Sequence, residues 1–376
     1  MIYLDYSATT PVNNSVLESF SKAAINYPGN ANSLHKLGVK SNELIKASTE
    51  QIANILKVKP NEIIYTSGSS ESNNLAIIGI AKKYKNRGTH IITTEFEHSS
   101  IYGPISALQK EGFTVDFVKT NELGIVDFNN LKELIKEDTI LVSIASVNSE
   151  IGLKQPLNEI SKIIKEKNNK CFFHVDMTQS VGKEKVSFEG IDLASFSAHK
   201  FFGLKGIGCL IKKEKISLEP IIYGGKSTTV YRSGTPALPL IVSLAKALRL
   251  ATSEIDEKYN FVLELSNYLK EKLKKYDKVK INSNNNCIPH ILNISVIGCK
   301  PETMQHALEE YDVYISTQTA CSSGSELSSA VLALTNDVER ASSSIRISIS
   351  NITTKEECDK FLDAFSKCYD KLTNLR

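Results

Sequence analysis

Short apolar runs of four to seven residues recur through the first 211 positions, at 62–66, 90–93, 114–118, 140–146, 171–175, 193–197 and 207–211. Longer stretches with helical periodicity fall between or after them, at 41–57, 72–84, 102–111, 129–135, 157–167 and 239–255. This alternation narrows the fold more than any other feature. A strand that is apolar on both faces has to be covered on both sides, and parallel neighbours need crossovers long enough to hold a helix. The pattern predicts an α/β fold with a mainly parallel central sheet flanked by helices. Past residue 255 a polar helical stretch (256–275) precedes strands near 278–281, 291–295, 313–316 and 344–350. Helices at 301–311, from 328 and from 354 complete a smaller α+β unit. The expected division is a large unit, 15–255, and a small one built from 1–14 with 256–376.

In open α/β sheets, ligands bind beyond the carboxyl ends of the strands. After the 62–66 run comes Ser67-Gly68-Ser69-Ser70-Glu71, opening a helix. Glycine and serines there suit either a plain helix cap or an anion such as phosphate. After 90–93 comes Glu97-His98, a stacking or acid–base imidazole or a simple loop histidine. Asp176 ends the very apolar Phe172-Phe173-His174-Val175 run. Such a carboxylate needs a cation, either a salt-bridge partner or a protonated ring nitrogen. The next strand leads into Ser195-Phe196-Ser197-Ala198-His199-Lys200-Phe201-Phe202-Gly203, which puts one lysine among phenylalanines. Burial disfavours the ammonium and lowers the pKa of the amine, as a Schiff-base lysine requires. Together a phosphate cradle, an imidazole, an aspartate and a buried lysine meet the needs of pyridoxal 5'-phosphate (PLP).

Composition excludes several other classes. A net charge of +3 over 376 residues is too small to argue for direct nucleic-acid or anionic-membrane binding. No apolar run reaches membrane-spanning length, and no signal peptide is visible at the start. The seven cysteines form no C-x-x-C pair and stand at no zinc-ligand spacing, so no metal is expected. Scattered, odd-numbered cysteines fit a reducing, cytoplasmic setting. Most sit in apolar contexts, but Cys321 lies within Thr317-Gln318-Thr319-Ala320-Cys321-Ser322-Ser323-Gly324-Ser325, which is loop chemistry.

These motifs resemble those of the cysteine desulfurases, in the class V aminotransferase-like group of PLP enzymes with fold type I. The resemblance runs from Tyr3-Leu4-Asp5-Tyr6-Ser7-Ala8-Thr9-Thr10-Pro11 to Ser343-Ser344-Ile345-Arg346. His174-Val175-Asp176-Met177-Thr178-Gln179-Ser180 and the segment ending in His199-Lys200 carry it most specifically. It implies that Lys200 is the Schiff-base lysine, Asp176 the partner of the pyridine nitrogen and Gln179 that of the ring oxygen. It implies that His98 stacks on the ring and moves protons. Ser69, Ser70, Ser197 and His199 would hold phosphate, joined by Thr235 from the neighbouring subunit of a homodimer. Asn148, beside the cofactor, and Arg346 would take the carboxylate of L-cysteine. Cys321 would attack the substrate sulfur, release alanine and keep a persulfide for an acceptor protein, an iron–sulfur scaffold or a tRNA-thiolation enzyme. A mobile, exposed thiol suits that task.

The sequence departs from the family pattern at a few places. Gly224-Gly225-Lys226-Ser227 stands where the family carries three glycines, a polar residue and glutamate. Asn148-Ser149 replaces paired asparagines, Ser69-Ser70 an alanine–threonine pair and Ala31 a proline. The alternatives on the same scaffold are an aminotransferase, a selenocysteine lyase or a weakly active PLP-binding scaffold that docks a partner.

Overall fold

The computed structural model of the chain describes residues 1–317 and 327–373; Cys321, the expected nucleophile, lies outside them. Seven strands form the main sheet: β2 (Ile63–Thr66), β3 (His90–Thr93), β4 (Thr114–Phe117), β5 (Thr139–Ser143), β6 (Phe172–Asp176), β7 (Leu193–Ser197) and β8 (Gly208–Lys212). Their spatial order is β2-β8-β7-β6-β5-β3-β4. Alternate side chains feed two cores. Ile91, Leu141, Leu193 and Leu210 pack with helices Ser69–Lys83 and Ser99–Lys110. Ile92, Val142, Phe173, Ala194 and Ile211 pack on the other face with helices Lys36–Leu56, Leu157–Lys167 and Leu238–Thr252. Both faces are therefore covered, as the apolar runs require.

β2 to β7 all run the same way, while β8 is antiparallel to both β2 and β7. The link from β7 to β8, residues 198–207, is too short for a crossover helix, so the chain turns back beside the strand it has just left. That turn carries Lys200. A 3-10 turn over Ala198–Lys200 opens it, and Phe202 adopts a left-handed φ of 64°. A Cβ on Gly203 would lie 2.7 Å from that of Ala198, so the glycine lets the turn close on itself.

The C-terminal part holds an antiparallel sheet of β9 (Val279–Ile281), β10 (Ile291–Val296) and β12 (Ser344–Ser348). β1 (Ile2–Tyr3), unforeseen from the sequence, pairs with β11 (Val313–Tyr314). It carries Ile2 and Leu4 into a separate core with Val262, Leu292, Met304, Phe361 and Phe365. Helix Asn14–Asn26 was also absent from the sequence pattern, because it buries only Val16 and Ala23 and exposes Leu17 and Ile25. Among the described residues no helix is long and apolar enough to cross a membrane.

Candidate active site

The parallel strands end along one edge, and the segments that follow them meet in a cavity of about 200 Å³. After β2 come Ser69 and Ser70, after β3 Phe96 and His98, after β5 Ala145, Val147 and Ser149. Asp176 and Gln179 follow β6, and His199 with Lys200 follow β7. The rest of the chain adds Ser7, Ala8 and Arg346. Seven of the expected site residues thus come together from separate parts of the sequence, besides Arg346 from β12.

At one end, helix Ser69–Lys83 presents its first turn. The Ser69 N–H donates to Ser197 Oγ at 2.8 Å, which ties the helix start to the end of β7. The backbone there is packed tightly: a Cβ on Gly208 would come within 2.7 Å of Gly68 Cα. Such a helix start, with two hydroxyls in the cavity wall, suits an anion. Arg232 pairs with Glu71 at 2.9 Å, and this draws Glu71 below the usual carboxylate range against the effect of its burial.

Asp176 lies at the centre. Asn73 Nδ2 donates to its Oδ2 at 2.8 Å and the Thr178 N–H to its Oδ1 at 3.0 Å. Among the described residues these neutral donors hold the carboxylate and no cation pairs with it. His98 caps helix Ser99–Lys110, its Nδ1 accepting from the Ser100 N–H at 3.1 Å. That bond leaves the ring proton on Nε2, and burial holds the imidazole below its ordinary pKa and hence neutral. His199 is lowered further, to about 4, by burial and by Lys200 beside it. Lys200 Nζ donates to the carbonyls of Ser7 at 2.7 Å and Ala8 at 2.8 Å.

Arg346 is buried in the centre of β12, where its Nη2 meets Asp5 at 2.8 Å and its Nη1 donates to Ser149 O at 3.1 Å. Among the described residues its Nε has no partner, nor has the buried hydroxyl of Thr178, another cavity residue. Unsatisfied buried donors at a cavity wall are what a polar ligand would satisfy. The residues present therefore fit PLP and an amino-acid carboxylate.

Three expected site residues do not line this cavity. Ser197 stands behind it, holding Ser69. Asn148 spends its amide on the local turn: Nδ2 donates to Phe96 O at 2.8 Å, and Oδ1 accepts from the Glu150 and Ile151 N–H groups. Its neighbours Val147 and Ser149 both line the cavity. Thr235 is exposed on the segment after Arg232. Lys183 was missed altogether; it is buried and donates to Gln179 Oε1.

The six described cysteines are Cys171, Cys209, Cys287, Cys299, Cys358 and Cys368, and all but the half-buried Cys287 are buried. Burial raises each thiol above its ordinary pKa, Cys171 and Cys287 to about 12. None lines the cavity.

The class V aminotransferase family model matches residues 2–361. The cysteine desulfurase IscS of Buchnera aphidicola (subspecies Acyrthosiphon pisum) is 41% identical, over 100% of this chain and 94% of that protein. This chain belongs to the class V aminotransferase family, in its cysteine desulfurase branch. Among solved structures, a NifS-like protein superposes with a TM-score of 0.93 at 34% identity, covering 100% of both chains. SspA in complex with cysteine matches with a TM-score of 0.83 at 30% identity, over 94% of this chain and 100% of that one. The cavity of this desulfurase-branch chain thus sits in a fold shared over its whole length.

Acid should destabilise the fold through a buried imidazole. His174 on β6 is fully buried between Ser143 and Ser195, at 2.9 and 3.0 Å, and burial lowers its pKa to about 4. The unfolded chain protonates the ring near 6.5, so it binds the proton first as pH falls. The contribution is complete above 6.5 and is lost down to about 4. Urea midpoints should therefore drop from pH 7 to pH 4.5, with roughly 2–3 kcal/mol traceable to this residue. A His174→Gln variant should show a shallower drop, and an equal slope would remove His174 as the cause.

Proposed function

We propose that this chain is a PLP-dependent cysteine desulfurase that converts L-cysteine to L-alanine and passes the sulfur on as a persulfide of Cys321. The observation that carries the proposal is the meeting of Lys200, Asp176, His98 and Gln179 with the Ser69–Ser70 helix start and Arg346 in one cavity. Ser69, Ser70 and the backbone N–H groups beside them would hold the phosphate, with Ser197 and His199 as support. Asp176 would face the ring nitrogen, Gln179 the ring oxygen and Lys200 the aldehyde carbon. When bound, PLP supplies an electron sink that weakens bonds to the α-carbon and, one atom further out, the carbon–sulfur bond.

The chain's own groups do the rest. Arg346 sets the carboxylate, so that the thiol side of the substrate points away from β12. Neutral His98, with its proton on Nε2, would lie against the ring and exchange protons there, and the Lys200 amine would move protons at the α-carbon. The Cys321 thiolate takes the sulfur. The substrate carbon–sulfur bond breaks, a sulfur–sulfur bond forms on the enzyme, and the carbon receives a proton, giving alanine. No described cysteine suits that role, because burial keeps those thiols protonated.

The same reading includes a homodimer in which Thr235 completes the partner's phosphate site, a cytoplasmic setting, and an acceptor protein in iron–sulfur assembly or tRNA thiolation. It also divides the chain into 15–255 and 1–14 with 256–376, which the separate cores support.

Purified protein given L-cysteine and a reductant should release sulfide and alanine in equal amounts. Cys321→Ala should lose nearly all sulfide release while keeping bound PLP. Sulfide release undiminished in that variant would refute the role of Cys321, and a keto acid without sulfide would favour an aminotransferase.

A further inference from the structure

Lys183 is 8% exposed and stands behind the cavity, four residues after Gln179 in the turn that follows β6. Among the described residues it forms no ion pair, although an unpaired buried lysine is costly. Its Nζ donates to Gln179 Oε1. The other end of the same amide, Nε2, donates to Ser7 O at 2.9 Å. These contacts remove the usual ambiguity in an amide's orientation. A lysine amine, charged or neutral, offers N–H donors to a carbonyl, and a main-chain carbonyl can only accept. Both neighbours therefore demand the same orientation, oxygen toward Lys183 and NH₂ toward Ser7. The Ser7 carbonyl also receives Lys200 Nζ at 2.7 Å. The Gln179 NH₂ and the Lys200 nitrogen thus open onto one corner of the cavity.

We propose that Lys183 is a positioning residue, which locks Gln179 with its NH₂ toward the cofactor ring so that Gln179 acts there only as a donor. The proposal rests on the PLP reading of the cavity. A locked donor selects an ionised ring oxygen over a protonated one, because only the former accepts without first losing a proton. Burial, followed by the charges of Lys200 and Arg346, lowers the Lys183 pKa to about 7, and the amine keeps donors for Gln179 in either state. Charge on Lys183 is therefore dispensable to the device, whereas its N–H is not.

The test is a double-mutant cycle read by PLP affinity of the apoprotein and by the absorption spectrum of the bound cofactor, with no turnover involved. Lys183→Met should weaken PLP binding about tenfold, the scale of one hydrogen bond to a charged acceptor, and shift the visible band. Gln179→Leu should do the same. The double variant should bind no more weakly than Gln179→Leu alone, because Lys183 acts through Gln179. Lys183→Arg, which keeps the donor, should restore the spectrum. Additive losses in the double variant, or Lys183→Met with wild-type affinity and spectrum, would overturn the proposal. Should Lys183→Met fail to fold, Gln179→Glu serves instead: it keeps an acceptor for Lys183 but offers the ring no donor. It should bind PLP more weakly than Gln179→Leu does, and equal or tighter binding overturns the proposal. Wild-type apoprotein that takes up no PLP would remove the cofactor reading itself, an outcome distinct from any pattern among the variants.

Discussion

Lys200→Ala is expected to abolish both the visible absorbance of the PLP-loaded protein and its turnover of L-cysteine. The position explains the size of the effect. Lys200 lies on the short return from β7 to β8, a turn closed by the Phe201 and Gly203 N–H groups donating to Ala198 O at 3.1 and 3.0 Å. Its Nζ reaches the carbonyls of Ser7 and Ala8, and the Ser7 carbonyl also accepts from Gln179 Nε2. No other lysine lines this cavity, and Lys183 is engaged with Gln179 behind it. On the proposed function the variant loses a covalent attachment point and a proton-transfer group at once, so turnover should fall about 10⁴-fold or more. The turn is held by its backbone, so the fold should survive, and circular dichroism will check this. A variant with the wild-type spectrum and rate would end the assignment of Lys200.

Arg346→Leu should leave the cofactor spectrum in place and raise the KM for L-cysteine by about 10²–10³, the cost of losing a paired, buried carboxylate contact. The guanidinium is prepared for that contact. β10 pairs with β12 in antiparallel register, Asn293 opposite Arg346, which fixes the backbone. Asp5 and Ser149 O then hold the two terminal nitrogens, while Nε has no partner among the described residues. In this arrangement Asp5 competes with the substrate for the same cation. Asp5→Asn should therefore change KM far less than Arg346→Leu does. Steady-state kinetics on both variants, with absorbance confirming PLP, tests the ordering; a KM unmoved in Arg346→Leu would place the substrate carboxylate elsewhere.

Much of this site could be read from strand ends. β3 and β7 fall where the apolar runs place them, at His90–Thr93 and Leu193–Ser197, because polar or turn residues bound those runs sharply. With the strands placed, Asp176, His98 and Lys200 follow at their carboxyl ends, and the rule that ligands gather there does the rest. Other parts depend on contacts that periodicity does not encode. β1 is two residues long and exists because β11 receives it. The reversal of β8 follows from a link length, a cue that an apolar-run pattern ignores. Asn148 sits between two cavity-lining residues, Val147 and Ser149, with its amide bonded to Phe96, Glu150 and Ile151. Lys183 reads in sequence as an ordinary lysine beside Glu184, and only the packed turn shows it buried against Gln179.

The most direct measurement is the mass of the peptide containing Cys321 after a single incubation of the PLP-loaded protein with L-cysteine and no reductant. The account predicts the gain of one sulfur atom on Cys321, removable by reductant and matched by an equal amount of alanine. A modified Cys171, Cys209, Cys287, Cys299, Cys358 or Cys368 in its place, or alanine formed with Cys321 unmodified, would contradict it.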